Sequence, residues 1–160
     1  LGMAGKCSNF IRDSVAMAGE AGFTRLLLAG HIGKMAKVAG GVGNTHSRYG
    51  DGRMEMMRLL TEEAGRSLCA KDKTRGPCGK GKLAEKMGNA NTTEEAVGWL
   101  KERGMAEPVL SLAARKVKEQ VESWAAGSLE AEVAVFSSVH RVMGATGRLQ
   151  DFLLLWKGEA

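Results

Sequence analysis

Side chains able to do chemistry are concentrated between Gly30 and Glu55, which include two of the three histidines, His31 and His46. This segment follows an apolar run, Phe23 to Ala29, that predicts a buried strand. Ligands of open α/β sheets bind beyond the carboxyl ends of strands, and the many glycines of the segment allow backbone to approach a ligand. Histidine can act there as a base, a hydrogen-bond donor or a metal ligand. We therefore predict a ligand site here, with His31 and His46 as its catalytic residues.

The glycines and lysines of this segment match no standard phosphate-binding motif. Gly33-Lys34 has Leu28 where a P-loop requires glycine and Met35 where it requires Ser or Thr. A helix opening at Gly33 would still present backbone N–H groups to an anion, with Lys34 and Lys37 on one face. Two interpretations stay open for the lysines: they hold a carboxylate or phosphate, or they are solvated.

A metal site has little support in the spacing of the candidate ligands. Zinc would need two ligands besides the two histidines, and Cys69 and Cys78 are nine residues apart in a basic, glycine-containing segment. We predict that the chain holds no metal.

Asp51 and Arg53 have a structural and a ligand-binding interpretation. Asp51 is placed where the N-cap of a helix belongs, which favours a structural role. Arg53 is suited to bind a carboxylate through two hydrogen bonds.

Helical and strand patterns alternate along the first third of the chain. Phe10, Ile11, Val15 and Ala18 recur at helical spacing, and Gly22 ends the predicted helix. Near-continuous hydrophobicity predicts that the strand is a central parallel strand buried on both faces. The predicted elements are helices over 10–21, 33–39 and 52–66 and a strand over 24–29.

The remaining chain predicts further helices and two more strands. A capping box begins at Asn91, and Pro108 lies near the start of a long amphipathic helix. We predict helices over 91–103, 108–126 and 149–156, a strand over 129–137, and a strand over 139–145 paired with it through a turn. The fold class is α/β: a small parallel sheet flanked by helices in a Rossmann-like three-layer arrangement, with residues 1–160 as a single domain.

The net charge of +5 arises in one segment, because residues 66–86 carry seven basic and two acidic residues. Glycine and proline there predict an exposed, dispensable loop insert over 67–82. Nucleic-acid binding is a weaker alternative, since no aromatic residue is interleaved with these charges. The apolar run at 152–156 is too short to span a bilayer, so we predict neither nucleic-acid nor membrane partners.

Several ordered motifs of this chain are specific enough to compare with known families. They are Lys6-Cys7-Ser8-Asn9-Phe10-Ile11, Leu26 to Lys34, Asn44-Thr45-His46-Ser47 and Asp51-x-Arg53-x-Glu55. These motifs resemble the CbiD family, the cobalt-precorrin-5B C(1)-methyltransferases of anaerobic cobalamin (vitamin B12) biosynthesis. The more distal strand at 132–136 is similar but looser.

The resemblance implies a cytoplasmic enzyme that transfers a methyl group from S-adenosylmethionine to ring carbon 1 of a cobalt-precorrin corrinoid substrate. It also implies that this chain is the C-terminal domain of a two-domain enzyme, truncated at its N-terminus, with the missing N-terminal domain as a partner. The alternative is an isolated, non-catalytic fragment that binds a corrinoid or another anion.

Residues and resemblance together predict a substrate- or cofactor-binding set around the two histidines. Its polar and basic members suit the carboxylates of a corrinoid or the amino-acid end of the donor. The set comprises Ser8, Asn9, Gly30, Gly33, Lys34, Lys37, Asn44, Thr45, Ser47, Asp51 and Arg53.

Overall fold

A computed structural model describes residues 4–49, 51–71 and 80–157. Within these ranges the predicted helices and strands occur in the predicted order, one further helix, Lys80–Gly88, was not predicted, and a short 3-10 turn, Ser47–Tyr49, follows the second helix. The helices are α1 Ile11–Glu20, α2 Ile32–Ala39, α3 Arg53–Lys71, α4 Lys80–Gly88, α5 Thr93–Glu102, α6 Ala106–Trp124 and α7 Leu149–Lys157. The strands are β1 Arg25–His31, β2 Glu130–Ser137 and β3 Arg141–Ala145.

The three strands form one sheet in the order β1-β2-β3. Strands β1 and β2 are parallel, with Leu28 opposite Val133 and His31 opposite Phe136. Strand β3 returns after a short turn and therefore pairs antiparallel with β2. The α/β class is confirmed, but the sheet is mixed, and β2 rather than β1 is central among the described strands.

The core lies between the sheet and the helices. The two helices α2 and α6 pack against the central strand β2. The fully buried residues there include Ile32 of α2, Val117 of α6 and Val133 of β2. Helix α1 adds Ile11 and Val15 to this core. Phe10, predicted on the same apolar stripe, is instead 56% exposed, because it precedes the first turn of α1 and the stripe begins at the next residue.

Glu132 is a charged residue at a fully buried position of β2, with 1% of its surface exposed. Its carboxylate accepts hydrogen bonds from Lys118 Nζ at 2.7 Å, from the Thr146 hydroxyl and from the Arg148 N–H at 3.0 Å. Burial alone would raise the pKa of Glu132, but these donors lower it below its ordinary value. These hydrogen bonds and the ion pair offset the free-energy cost of burying a carboxylate in the strand.

The segment predicted as a basic loop is partly helical. Helix α3 continues to Lys71, with Leu68 packed against the core, and α4 begins at Lys80, with Leu83 buried. Residues 72–79 lie outside the described ranges. In the described part of the chain, no helix is both long enough and apolar enough to cross a membrane.

Candidate functional site

His31 ends β1 and also caps the next helix. Its Nδ1 accepts a hydrogen bond of 3.1 Å from the Gly33 N–H of α2, and its Nε2 lies 2.7 Å from Glu94 Oε1. Because Nδ1 is an acceptor, these partners assign the proton to Nε2, which donates to the carboxylate. Its ring also meets Phe136 of β2 edge-on, with centroids 5.9 Å apart. Both ring nitrogens of His31 thus have partners within the chain.

Glu94 joins the carboxyl ends of β1 and β2 to the start of α5. Besides His31, it accepts hydrogen bonds from the Ser137 hydroxyl at 2.6 Å and from the Ser138 N–H at 2.9 Å. Ser137 Oγ in turn accepts the N–H groups of Val139 and His140. We call His31, Gly33, Glu94, Ser137 and Ser138 the strand-end clasp.

The clasp keeps its central carboxylate ionised. Partial burial opposes ionisation of Glu94, but hydrogen bonds from Ser137, His31 and the Ser138 N–H outweigh it and lower its pKa to about 2. A carboxyl group that is already ionised, and whose oxygens are already hydrogen-bonded, is a poor proton donor at neutral pH. The arrangement is suited to fixing strand and helix ends in place.

The capping box predicted at the start of α5 is confirmed and explains why Glu94 is free to serve the clasp. Thr92 accepts the Glu95 N–H at 3.1 Å, and Glu95 reaches back to the Asn91 N–H at 2.9 Å. Glu95 therefore completes the box, while its neighbour Glu94 turns to the strand ends.

The two predicted anion-binding lysines are directed at backbone carbonyl groups. Lys34 Nζ donates to Ser8 O at 2.9 Å, and Lys37, only 6% exposed, donates through Nζ to Thr45 O at 3.3 Å. Thr45 also contacts Asn9, with its N–H 3.0 Å from Asn9 O and its hydroxyl 3.3 Å from Asn9 Oδ1. The lysines thus hold the segment around Ser8 and the loop around Thr45 to α2.

His46 lies on the exposed side of this loop. Its backbone N–H donates to Asn44 Oδ1 at 3.1 Å, and its Nδ1 accepts the Arg48 N–H at 3.2 Å. Among the described residues Nε2 of this exposed ring has no hydrogen-bond partner, so it is available as a donor. Ser47 begins the 3-10 turn that follows and is exposed.

Asp51 and Arg53 pair with each other before α3. The Arg53 guanidinium donates to both carboxylate oxygens, at 2.6 and 2.5 Å. This pairing lowers the pKa of Asp51 and raises that of Arg53. Helix α3 begins at Arg53, so Asp51 precedes the N-cap position and accepts the Arg53 N–H at 3.4 Å. Arg53 meets a ligand carboxylate only if it shares or leaves Asp51.

At two of the glycines that we expected to admit a ligand, side chains of this chain fill the space beside the backbone. A Cβ on Gly30 would lie 2.3 Å from Met35 Cε, so this glycine makes room for a core methionine. A Cβ on Gly33 would lie 3.2 Å from His31 Nδ1. Both glycines serve packing within the clasp and the core.

The site residues fall into two groups that the sequence could not separate. His31, Gly30 and Gly33 lie at the strand end, whereas Ser8, Asn9, Asn44 and Thr45 belong to the hydrogen-bonded loops. Glu94 and Ser137 were missed. The rule that polar residues gather after parallel strands would have found Ser137 at the end of β2, but Glu94 carried only a capping signal. The described residues contain no group of three or more His, Cys, Asp or Glu side chains placed to hold a metal ion.

Fold and site define an α/β domain whose polar residues collect at the carboxyl ends of two parallel strands and in the loops beside them. Residues 78–147 match the family model described as CbiD, C-terminal domain. The chain is 32% identical over 151 residues to the cobalt-precorrin-5B C(1)-methyltransferase of Alkaliphilus metalliredigens, covering 92% of this chain and 36% of that protein.

Two further relatives carry the same name. The protein of Fusobacterium nucleatum is 31% identical over 146 residues, covering 89% of this chain and 34% of the relative. That of Methanocaldococcus jannaschii is 36% identical over 118 residues, covering 73% and 29%. The chain belongs to the CbiD family. It spans about a third of the length of these relatives. No solved structure shows a significant match.

Proposed function

We propose that this chain forms the C-terminal α/β domain of a cytoplasmic cobalt-precorrin-5B C(1)-methyltransferase. In this proposal a methyl group passes from S-adenosylmethionine to ring carbon 1 of the corrinoid during cobalamin biosynthesis. The observation that carries it is the similarity to relatives of that name, which extends along 92% of the chain in the Alkaliphilus metalliredigens protein. The remainder of the longer protein is then the partner of this domain.

The loops beside α2 offer donors that suit a corrinoid, which carries carboxylates around a flat apolar macrocycle. Asn44 and His46 present N–H donors at the loop surface, and Lys34 and Arg53 supply positive charge beside it. Donors of this kind hold carboxylates in fixed orientations. We assign corrinoid contacts to Asn44, His46, Ser47, Lys34 and Arg53, with Ser8, Asn9, Thr45 and Lys37 holding the loops that present them.

The two histidines then have different roles. His46 has an available donor nitrogen at the surface, so we propose that it touches the substrate. Both nitrogens of His31 have partners in the clasp, so we propose that it positions β1 and α2 rather than exchanging a proton.

At the strand end, Gly30 lies against Met35, and Gly33 lies against His31. When bound, the donor supplies an electrophilic sulfonium methyl. This chain's task in the reaction is to fix the ring carbon in line with that methyl, because alignment governs such displacements more than acid or base strength.

A chimaera tests the proposal. This chain would replace the matching third of the Alkaliphilus metalliredigens relative, and the purified chimaera would be incubated with S-adenosylmethionine and cobalt-precorrin-5B. Mass spectrometry should show the addition of one methyl group at the rate of the relative within about tenfold. Absence of methylation by a folded chimaera, while the relative methylates, would overturn the proposal.

The alternative, a chain that binds corrinoid without turnover, is tested in parallel. The isolated 160-residue chain would be incubated under the same conditions. Binding without methylation by the isolated chain, together with methylation by the chimaera, assigns it a binding role within the enzyme. Methylation by the isolated chain would exclude the alternative.

A further inference from the structure

The surface beside the loops carries an exposed aromatic ring that the reaction scheme above leaves unused. Phe10 is 56% exposed although it directly precedes the buried Ile11. Its backbone forms an isolated antiparallel bridge with Asn44, flanked by bonds from Thr45 N–H to Asn9 O and from Arg12 N–H to Gly43 O. The ring is thus held on an ordered backbone and has no core role.

Pairing of the two backbones places the Phe10 ring beside the Asn44 side chain. Residues directly opposite in an antiparallel pair direct their side chains to the same side, about 5 Å apart. Asn44 Oδ1 accepts the His46 N–H, and Asn44 Nδ2 makes no hydrogen bond within the described ranges. Its two N–H groups are therefore available donors beside Phe10, and the exposed His46 ring lies two residues further along the same loop.

The turn that presents Phe10 is strained and specifically held. Ser8 has φ of 49°, the left-handed region that non-glycine residues rarely adopt. The Phe10 N–H closes the turn on Cys7 O at 2.9 Å, and Lys34 Nζ holds Ser8 O at 2.9 Å. Strained backbone persists only where its surroundings impose it, and it clusters at ligand contacts.

Packing of the loop against α1 fixes the other side of this surface. A Cβ on Gly43 would lie 2.7 Å from Arg12 Cβ, so only glycine lets the loop approach the helix this closely. The neighbouring Val42 is an apolar residue of the same loop that is 36% exposed. We call Phe10, Val42, Asn44 and His46 the loop face.

We propose that the loop face binds the apolar face of a flat, carboxylate-bearing macrocycle on Phe10, with Asn44 Nδ2 and His46 Nε2 donating to its carboxylates. An aromatic ring packs against a flat apolar ligand through its face or edge, and the donors at its border select anionic substituents. This inference rests on the proposed function for the identity of the macrocycle, a corrinoid.

Binding to the full 160-residue chain tests the loop face directly. The probe is dicyanocobyrinic acid, a corrin whose side chains end in carboxylic acids, and its methyl ester is the uncharged comparator. Titration followed by calorimetry gives the two dissociation constants for each variant. Phe10→Ala should weaken binding of both probes by about tenfold, from loss of the ring's apolar contact.

Asn44→Asp is a matched variant, because its retained Oδ1 still accepts the His46 N–H while its donors are replaced by a negative charge. It should weaken binding of the acid by about tenfold or more and leave the ester within about twofold. Met17→Ala is the control: Met17 is 67% exposed on α1, two turns beyond Phe10, and its loss should leave both constants unchanged.

Equal effects of Phe10→Ala and Met17→Ala, or equal effects of Asn44→Asp on acid and ester, would overturn the proposal. If the loop face instead contacts the remainder of the longer protein, Phe10→Ala will lower the thermal midpoint of the chimaera without changing corrin binding, which also contradicts it. If the chimaera methylates the substrate and the Phe10→Ala chimaera methylates it equally well, the loop-face proposal is wrong and the proposed function stands. If the chimaera does not methylate the substrate but Phe10→Ala abolishes corrin binding, the proposed function is wrong and the loop-face proposal stands.

Discussion

The strand-end clasp and the loop face both contain a histidine and an amide- or carboxyl-bearing partner, but they differ in what they leave available. In the clasp, Glu94 accepts hydrogen bonds from the His31 ring, the Ser137 hydroxyl and the Ser138 N–H. In the loop face, Asn44 Oδ1 and His46 Nδ1 accept hydrogen bonds, whereas Asn44 Nδ2 and His46 Nε2 have no partner among the described residues. A polar cluster at a strand end is therefore not enough to identify a ligand site. Hydrogen-bond donors without a partner in the cluster indicate a ligand-binding role, whereas fully bonded donors indicate a role in stabilising the fold.

The largest expected effect is on stability, from loss of the clasp carboxylate. Glu94→Ala leaves the His31 ring, the Ser137 hydroxyl and the Ser138 N–H without their acceptor, which should lower the free energy of unfolding by about 2–3 kcal/mol. Urea denaturation followed by circular dichroism measures this. Glu94→Gln, which keeps the shape and one acceptor oxygen, should lose less. Equal stability of Glu94→Ala and wild type would show that the clasp supports nothing.

The histidines give the next contrast. His31→Ala removes the cap of α2 and a partner of Glu94 and should lower the free energy of unfolding by about 1–2 kcal/mol. His46→Ala, at an exposed site, should change it by less than about 0.5 kcal/mol. In folded chimaera variants, methylation should depend on the two histidines in the opposite order. His46→Ala should lower kcat/KM about tenfold, and His31→Ala should lower it less. A His46→Ala chimaera as active as the wild type would remove this residue from the site.

Acid titration separates the clasp from the rest of the chain. Glu94 has its pKa lowered to about 2 in the folded chain, so its contribution to stability is present above its unfolded pKa and is lost as pH falls. Between about pH 4 and pH 2 it should steepen the loss of stability by up to about 1.4 kcal/mol per pH unit. Denaturation at several pH values should show a shallower slope for Glu94→Gln than for wild type. Parallel slopes would mean that Glu94 titrates alike in both states.

The smallest expected effect concerns the turn that presents the loop face. Ser8→Gly relieves the left-handed backbone and should raise the free energy of unfolding by about 0.5–1 kcal/mol, after the entropic cost of glycine. Ser14→Gly within α1 is the control and should lower it by about 0.5–1 kcal/mol. If both variants destabilise, the turn at Ser8 is unstrained.

The order of the helices and strands other than α4 could be predicted from the sequence, because local periodicity and capping residues determine it. The capping box before α5 and the run that forms β1 are examples. The position of β1 at the edge of the sheet that the described strands form depends on strand pairing between distant segments, which local patterns do not encode. The charged composition around Leu68 predicted a loop, but Leu68 packs against the core as part of helix α3. Tertiary packing therefore overrides the local composition there.

The candidate site residues could be named from the sequence and stay a prediction, but their contacts within the chain could not be named. Those internal partners are distant in sequence: Glu94 lies 63 residues from His31. Exposure of Phe10 was missed because its spacing fits the apolar stripe of α1, and only the observed start of the helix removes it from that stripe.

The division between a supporting clasp and a binding loop face is tested most directly by amide chemical-shift mapping. The 15N-labelled chain would be titrated with dicyanocobyrinic acid, whose cobalt(III) is diamagnetic. The account predicts that shifts concentrate at Phe10, Asn44, His46 and their neighbours, with little change at Gly33, Glu94 and Ser138. Chemical-shift changes centred on Gly33 and Ser138, without changes at Phe10 and Asn44, would contradict it. That result would place the ligand site at the strand ends.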